Sequence, residues 1–167
     1  MPKYRKKITR RMEYEEFKEK IDSLPIARQA FLSVLFFAGV RVSEALAITP
    51  DDVWYDNESV YIDFHRLKGS KQTDPIPLPR KDAINYLCGL VDDPFPWCRK
   101  TGYNIVNGVF PDLYPHYFRM NRITKISEDF GDSYVYSFVG ICAQSIDHYR
   151  GKVDISKVGK ALLEEIK

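Results

Sequence analysis

Residues 26–48 read IARQAFLSVLFFAGVRVSEALAI. Ile26 to Ala38 is too apolar to lie on a surface, so the spacing predicts a core helix. Gly39 is expected to end that helix in a left-handed cap. Arg41 to Ile48 then begins a second helix, which Thr49 and Pro50 stop. Arg41 therefore stands at a break between two helices, beside an apolar core where an unpaired guanidinium is costly. Glu44, three positions on, shares its helical face and is its natural partner.

Working outward, Tyr14 to Leu24 alternates charged and apolar residues at helical spacing and ends before Pro25. Downstream the period changes. Val60, Ile62 and Phe64 alternate with Tyr61, Asp63 and His65, a two-residue repeat that predicts a strand. Lys68-Gly69-Ser70-Lys71 is a turn, and Pro75 to Leu78 returns as an edge strand, where proline is tolerated. Arg80 to Leu90 is a short helix. Residues 92–107 are rich in Pro, Trp, Gly and Tyr and give no clear period. Pro115 to Phe130 reads as a helix with Pro115 at its start. Ser133 to Val139 begins another, and Ile155 to Ile166 is amphipathic. The expected fold is mainly α with one small antiparallel β-sheet (α+β).

The composition is that of one soluble globular domain, with 167 residues of which 44% are hydrophobic and 29% charged. The longest nearly apolar stretch, Phe31 to Val40, is about half of what a bilayer requires, and nothing at the N-terminus reads as a signal peptide. Cys88, Cys98 and Cys142 form no CxxC pair, which fits a reducing cytoplasm. His65, His116 and His148 form no HExxH-like ligand pattern, so neither a metal nor another cofactor is expected. The net charge is only +2, but it is unevenly spread. Lys3, Arg5, Lys6, Lys7, Arg10 and Arg11 all precede the first acidic residue, Glu13. Such a basic arm (residues 1–12) suits a phosphate backbone, and equally a solvated tail.

Several polar residues could do chemistry, and each also has an ordinary reading. His116 and Arg119 share one face of a predicted helix. Lys68 lies at a glycine-containing turn, where its ammonium can swing over a groove. Tyr149 follows His148 in a polar stretch rather than on an apolar stripe. Alone, Arg41 is a structural ion-pair partner, Lys68 a solvated turn residue, His116 a helix-start residue and Tyr149 a packing residue.

Together and in this order they resemble the tyrosine recombinase (phage-integrase) family. Residues 31–53 resemble its helix–glycine–arginine segment, Gly39-Val40-Arg41-Val42-Ser43-Glu44. That implies a catalytic role for Arg41, with Glu44 supporting it. Lys68-Gly69-Ser70-Lys71 followed by Ile76-Pro77-Leu78 is similar to the family's β-hairpin, whose first lysine is the general acid; here that is Lys68. Pro115-His116-Tyr117-Phe118-Arg119 matches its H-x-x-R box, giving His116 and Arg119. Ser145-Ile146-Asp147-His148-Tyr149 resembles the segment that ends in the nucleophile, Tyr149. The His148–Tyr149 pair is closer to archaeal viral and plasmid integrases than to bacterial members. The likeness runs from about Tyr14 to the end.

Three departures stand against it. Gly140 is followed by Ile141 where the family usually has histidine or tryptophan, and isoleucine donates no hydrogen bond. Arg122, Lys125 or His148 are candidate substitutes for that donor. Met120 follows Arg119, where the family often has a second histidine. Members usually carry an N-terminal core-binding domain; here only the arm precedes the expected catalytic domain (residues 13–167).

The resemblance implies double-stranded DNA as partner, four protomers on two DNA sites (a monomer when free), and a cytoplasmic, DNA-associated protein, in the host cell if viral. Lys71 and the arm would contact phosphates, as would Arg80, Arg99, Lys100, Arg122 and Lys125, positioning the protein without reading sequence. Ile155, Val158, Leu162, Leu163 and Ile166 form a stripe that would dock on a neighbouring protomer or fold back onto its own core. Two further readings are a catalytically impaired DNA-binding module derived from a recombinase and a relaxing topoisomerase with the same tyrosine chemistry.

Overall fold

The computed structural model describes residues 11–67, 72–113, 116–141, 159 and 162–164. The described residues include six helices and a three-stranded sheet, besides the C-terminal positions. The helices are α1 (Tyr14–Ile21), α2 (Ile26–Ala38), α3 (Val42–Leu46), α4 (Arg99–Val109), α5 (Tyr117–Phe130) and α6 (Asp132–Val139). The strands are β1 (Val53–Tyr55), β2 (Ser59–Ile62) and β3 (Ile76–Pro79), all antiparallel in the order β1-β2-β3. This is the mainly helical α+β architecture expected from the sequence.

The apolar stretch behaves as its composition demands. Along α2, Ala30 to Phe36 and Ala38 are all buried, and the helix packs against α5 and the 3-10 turn Asp82–Leu87. Gly39 ends α2 at φ 64, the left-handed conformation that an L side chain adopts only at a cost. Phe17 of α1 stacks on Phe36 at 4.3 Å, and Phe110 and Phe118 close the same aromatic cluster.

Proline sits where a sheet permits it. β3 is an edge strand, so Pro77 and Pro79 interrupt no interior ladder. The register Ile62↔Ile76 and Val60↔Leu78 puts four apolar side chains on the core face.

Several boundaries differ from expectation. The second helix is shorter, Val42–Leu46, because Arg41 is extended (φ −71, ψ 152) and serves as its N-cap. Val53–Tyr55 is a strand that the sequence reading did not name; an Asp56 side chain accepting the Glu58 and Ser59 N–H groups, both at 2.8 Å, closes its hairpin with β2. Arg80 to Leu90 contains only the 3-10 turn, with Cys88 and Gly89 outside it. Residues 92–107, unreadable in sequence, hold most of α4. The fifth helix starts at Tyr117 with His116 as its N-cap, and Pro115 lies outside the described residues. Of the C-terminal stretch only Gly159 and residues 162–164 are described; they are helical, and Leu162 and Leu163 are exposed. No described helix is long and apolar enough to cross a membrane.

Candidate active site

Arg41, Arg119 and Arg122 all lie at the end of α2 or the turn that follows it. Arg41 caps α3, and Glu44 in the first turn of that helix folds back on it. The Glu44 carboxylate accepts the Arg41 backbone N–H and its Nη1, each at 3.0 Å. Glu44 is fully buried, whereas the Arg41 side chain keeps 22% of its surface exposed. The expected Arg41–Glu44 pairing is thus present, with the guanidinium at the protein's edge.

Arg119 reaches the same turn from α5. It is 2% exposed, and its Nη1 donates to the Gly39 carbonyl at 2.9 Å. His116, at the start of the same helix, is partly buried one turn away. Arg122, a turn further along, donates from Nε to the Phe36 carbonyl at 3.1 Å and lies over the Phe36 and Phe37 rings. Burial pushes its guanidinium down to about 10, a value at which it stays charged at neutral pH. Two arginines of α5 therefore satisfy carbonyl groups that end α2, which a helix terminus leaves without an internal partner. Lys125 instead pairs with Glu13, Nζ to Oε2 at 3.1 Å, on the surface.

Glu44 has a third and a fourth contact. Its Oε1 accepts the backbone N–H of Leu67 at 3.3 Å, and Arg66 Nη1 approaches its Oε2 at 3.5 Å. The backbone just before Lys68 is therefore attached to the carboxylate that orients Arg41. The Arg66 side chain is wholly inaccessible to solvent. Its Nε and Nη2 donate to Thr73 Oγ1 at 3.2 and 2.8 Å, and Nη2 also donates to the Phe138 carbonyl of α6 at 3.0 Å. Phe64 covers the guanidinium at 5.2 Å. Burial lowers its affinity for the proton; Glu44 opposes that and Arg41 adds to it. At an effective dielectric of about 20, charges at the 3.5 Å separation of Arg66 and Glu44 attract by roughly 5 kcal/mol. Desolvation takes most of this back, so the pair fixes geometry more than it adds stability.

Arg66 is not among the residues the motifs single out. A signal was available: Val60, Ile62 and Phe64 are the inward phase of the β2 alternation, and Arg66 continues it. An arginine in that phase must find partners inside.

Ile141, at the position where the resemblance implies a phosphate donor, is buried in a small apolar cluster with Ile123, Ile126, Val135 and Val139. At the N-terminal end, Met12 is buried, and its backbone N–H and carbonyl both pair with the Asn121 side chain at 3.2 Å. Arg11 forms an ion pair with Glu128. Lys3, Arg5, Lys6, Lys7, Arg10, Lys68, Lys71, His148 and Tyr149 lie outside the described residues.

No protein-family model matches this sequence, and no curated protein is similar to it in sequence. In three dimensions the chain has the fold of the tyrosine recombinase catalytic domain. It resembles the XerH site-specific recombinase bound to its difH substrate before cleavage, with a TM-score of 0.65 and 19% identity over 94% of this chain and 54% of that one. The post-cleavage XerH complex on palindromic difH gives 0.68 and 19% over 93% and 52%, and the XerA recombinase 0.65 and 16% over 99% and 66%. The chain thus spans between 52% and 66% of the length of these solved neighbours.

Proposed function

We propose that this chain is the catalytic portion of a site-specific DNA recombinase or integrase that cuts and rejoins double-stranded DNA through Tyr149. The observation that carries the reading is the Glu44 carboxylate, which joins Arg41 to the backbone leading into Lys68 while Arg119 is fastened two residues before Arg41. The likeness to DNA-bound XerH adds to it.

Attack on a phosphodiester adds negative charge to oxygens that already repel a nucleophile. Arginine meets that charge best, with two parallel donors and a proton it does not lose at neutral pH. Arg41 and Arg119, from different helices, would grip the phosphate from two sides. A phenol has a pKa near 10, so Tyr149 needs help to shed its proton, and His116 is the candidate acceptor. The Tyr149 oxygen bonds to phosphorus as the bond to the 5′ oxygen breaks, and Lys68 supplies that leaving oxygen with a proton. The 3′-phosphotyrosyl product keeps the phosphodiester energy, so a 5′ hydroxyl of another strand reverses the step without metal or ATP. The reading includes a basic N-terminal arm that follows the backbone and assembly of four protomers on two sites.

The test is a nicked duplex whose cleavage releases a short 5′-hydroxyl strand. Wild type should accumulate covalent protein–DNA adduct, and Tyr149→Phe should give none while binding the duplex equally. One observation favours a second reading, a catalytically silent DNA-binding module: Ile141 is core packing and not a phosphate donor. That reading expects salt-dependent binding, the same for wild type and Tyr149→Phe, with no adduct from either.

A further inference from the structure

Glu44 poses an electrostatic problem. A carboxylate 3.0 Å from Arg41 Nη1 orients the guanidinium but also cancels the charge an anion would seek. With Arg41 and Glu44 alone, the cluster would be neutral. Arg66 supplies a second cation at 3.5 Å from the other carboxylate oxygen, with no exposure to solvent, and brings the net charge of the three groups to +1. Its other donors hold Thr73, a few residues after Lys68 in the chain, and Phe138, at the end of the helix that precedes the tyrosine-bearing segment in sequence.

We propose that Arg66 is a positioning residue that neutralises Glu44 from behind, so that Glu44 can orient Arg41 while Arg41 keeps its charge for a DNA phosphate. This rests on the recombinase reading above. Arg66 touches neither DNA nor the reacting atoms. It acts through Glu44, and a long, fork-shaped cation is needed because the same guanidinium must reach a carboxylate, a hydroxyl and a carbonyl in different directions.

Arg66→Met makes the cluster neutral, Arg66→Lys keeps it at +1, and the double variant Glu44→Gln/Arg66→Met returns it to +1 with both buried charges gone. Single-turnover cleavage of the nicked duplex at saturating DNA should fall at least about 100-fold in Arg66→Met. The double variant should recover about tenfold of that loss, and Arg66→Lys should stay within about tenfold of wild type. Duplex affinity should change by less than about threefold throughout, because one phosphate is a small part of the footprint.

In parallel, inorganic phosphate is titrated against each variant at constant ionic strength and the rise in melting temperature is read. Wild type, Arg66→Lys and the double variant should be stabilised, and Arg66→Met should not. A double variant no faster than Arg66→Met would show a purely structural role and overturn the proposal. If wild type cleaves nothing, the recombinase reading fails and the phosphate series decides alone. Equal stabilisation of wild type and Arg66→Met, or none of wild type, then removes the inference. Should Arg66→Met fail to fold, a loss beyond about 100-fold in both charge-preserving variants overturns it instead.

Discussion

Arg119 Nη1 donates to the Gly39 carbonyl at 2.9 Å, so a guanidinium on α5 is fastened to the turn that launches Arg41. Arg119→Lys keeps the charge but loses the planar fork, and a single ammonium cannot serve a backbone carbonyl and a phosphate in the same geometry. We expect covalent adduct to form at least about 100-fold more slowly, with the melting temperature holding far better than in Arg119→Ala. Trapping assays and thermal melts on the same preparations check this; wild-type rates in Arg119→Lys would refute the role.

Gly39 has φ 64, and a Cβ built there would meet the Arg122 Cβ at 2.8 Å. Left-handed backbone costs an L residue about 1–2 kcal/mol, and overpacking adds about 1–3 kcal/mol. Gly39→Ala should therefore lose about 2–5 kcal/mol in urea unfolding. A loss below about 0.5 kcal/mol would mean that the turn relaxes freely.

Asn121 satisfies both backbone groups of Met12, each at 3.2 Å in a buried setting. Asn121→Ala strands a donor and an acceptor, at about 1–3 kcal/mol for each group that finds no water. We expect a lower melting temperature and faster tryptic cleavage after Arg11. An unchanged digestion pattern would show that other contacts hold that segment.

Tyr14 donates a hydrogen bond to Asp82, which lowers the Asp82 pKa; burial, then Asp82, raises that of Tyr14. The depressed carboxylate contributes stability above its unfolded value of about 4 and loses it as pH falls through the folded one. The raised phenol contributes below its unfolded value of about 10 and loses it as pH rises further. Tyr14 is partly buried and the Asp82 carboxylate still reaches solvent, which screens the pair, so the total is under about 1 kcal/mol. The melting-temperature gap between wild type and Tyr14→Phe should be flat from about pH 5 to 9 and narrow on either side. A gap that is unchanged at about pH 3 would contradict this.

The arm predicts a salt effect. Replacing Lys3, Arg5, Lys6 and Lys7 with glutamine should reduce the slope of log K against log salt by about 3–4 if each meets a phosphate. Fluorescence anisotropy between about 50 and 200 mM salt measures it; an unchanged slope assigns the arm to solvent.

The helix–glycine–arginine segment was legible because composition and backbone chemistry agree there: an all-apolar helix, a glycine for the left-handed cap, then a paired arginine. The Arg41–Glu44 pair followed from it, and the sheet from the alternation of Val60, Ile62 and Phe64. α4 was hidden for a physical reason. Gly102 lowers helix propensity, yet it is there because a Cβ would lie 2.8 Å from Val42 Cγ1 and 3.1 Å from Leu46 Cδ1. Close packing against α3 thus required the residue that obscured the helix. β1 was too short to display a period, and the side-chain turn at Asp56 that creates it carries no glycine or proline. Arg66 is hard to read in the sequence because it lies not in a loop but in the buried phase of a strand's continuation.

The Arg119 and Arg122 bonds to the Gly39 and Phe36 carbonyls place one further constraint on the chain. The same stretch of α5 completes another helix's end and carries a candidate phosphate grip. Natural variation or laboratory selection cannot tune one task there without disturbing the other. Inactive variants in this stretch will therefore look like folding mutants, and only those with intact melting curves report on chemistry.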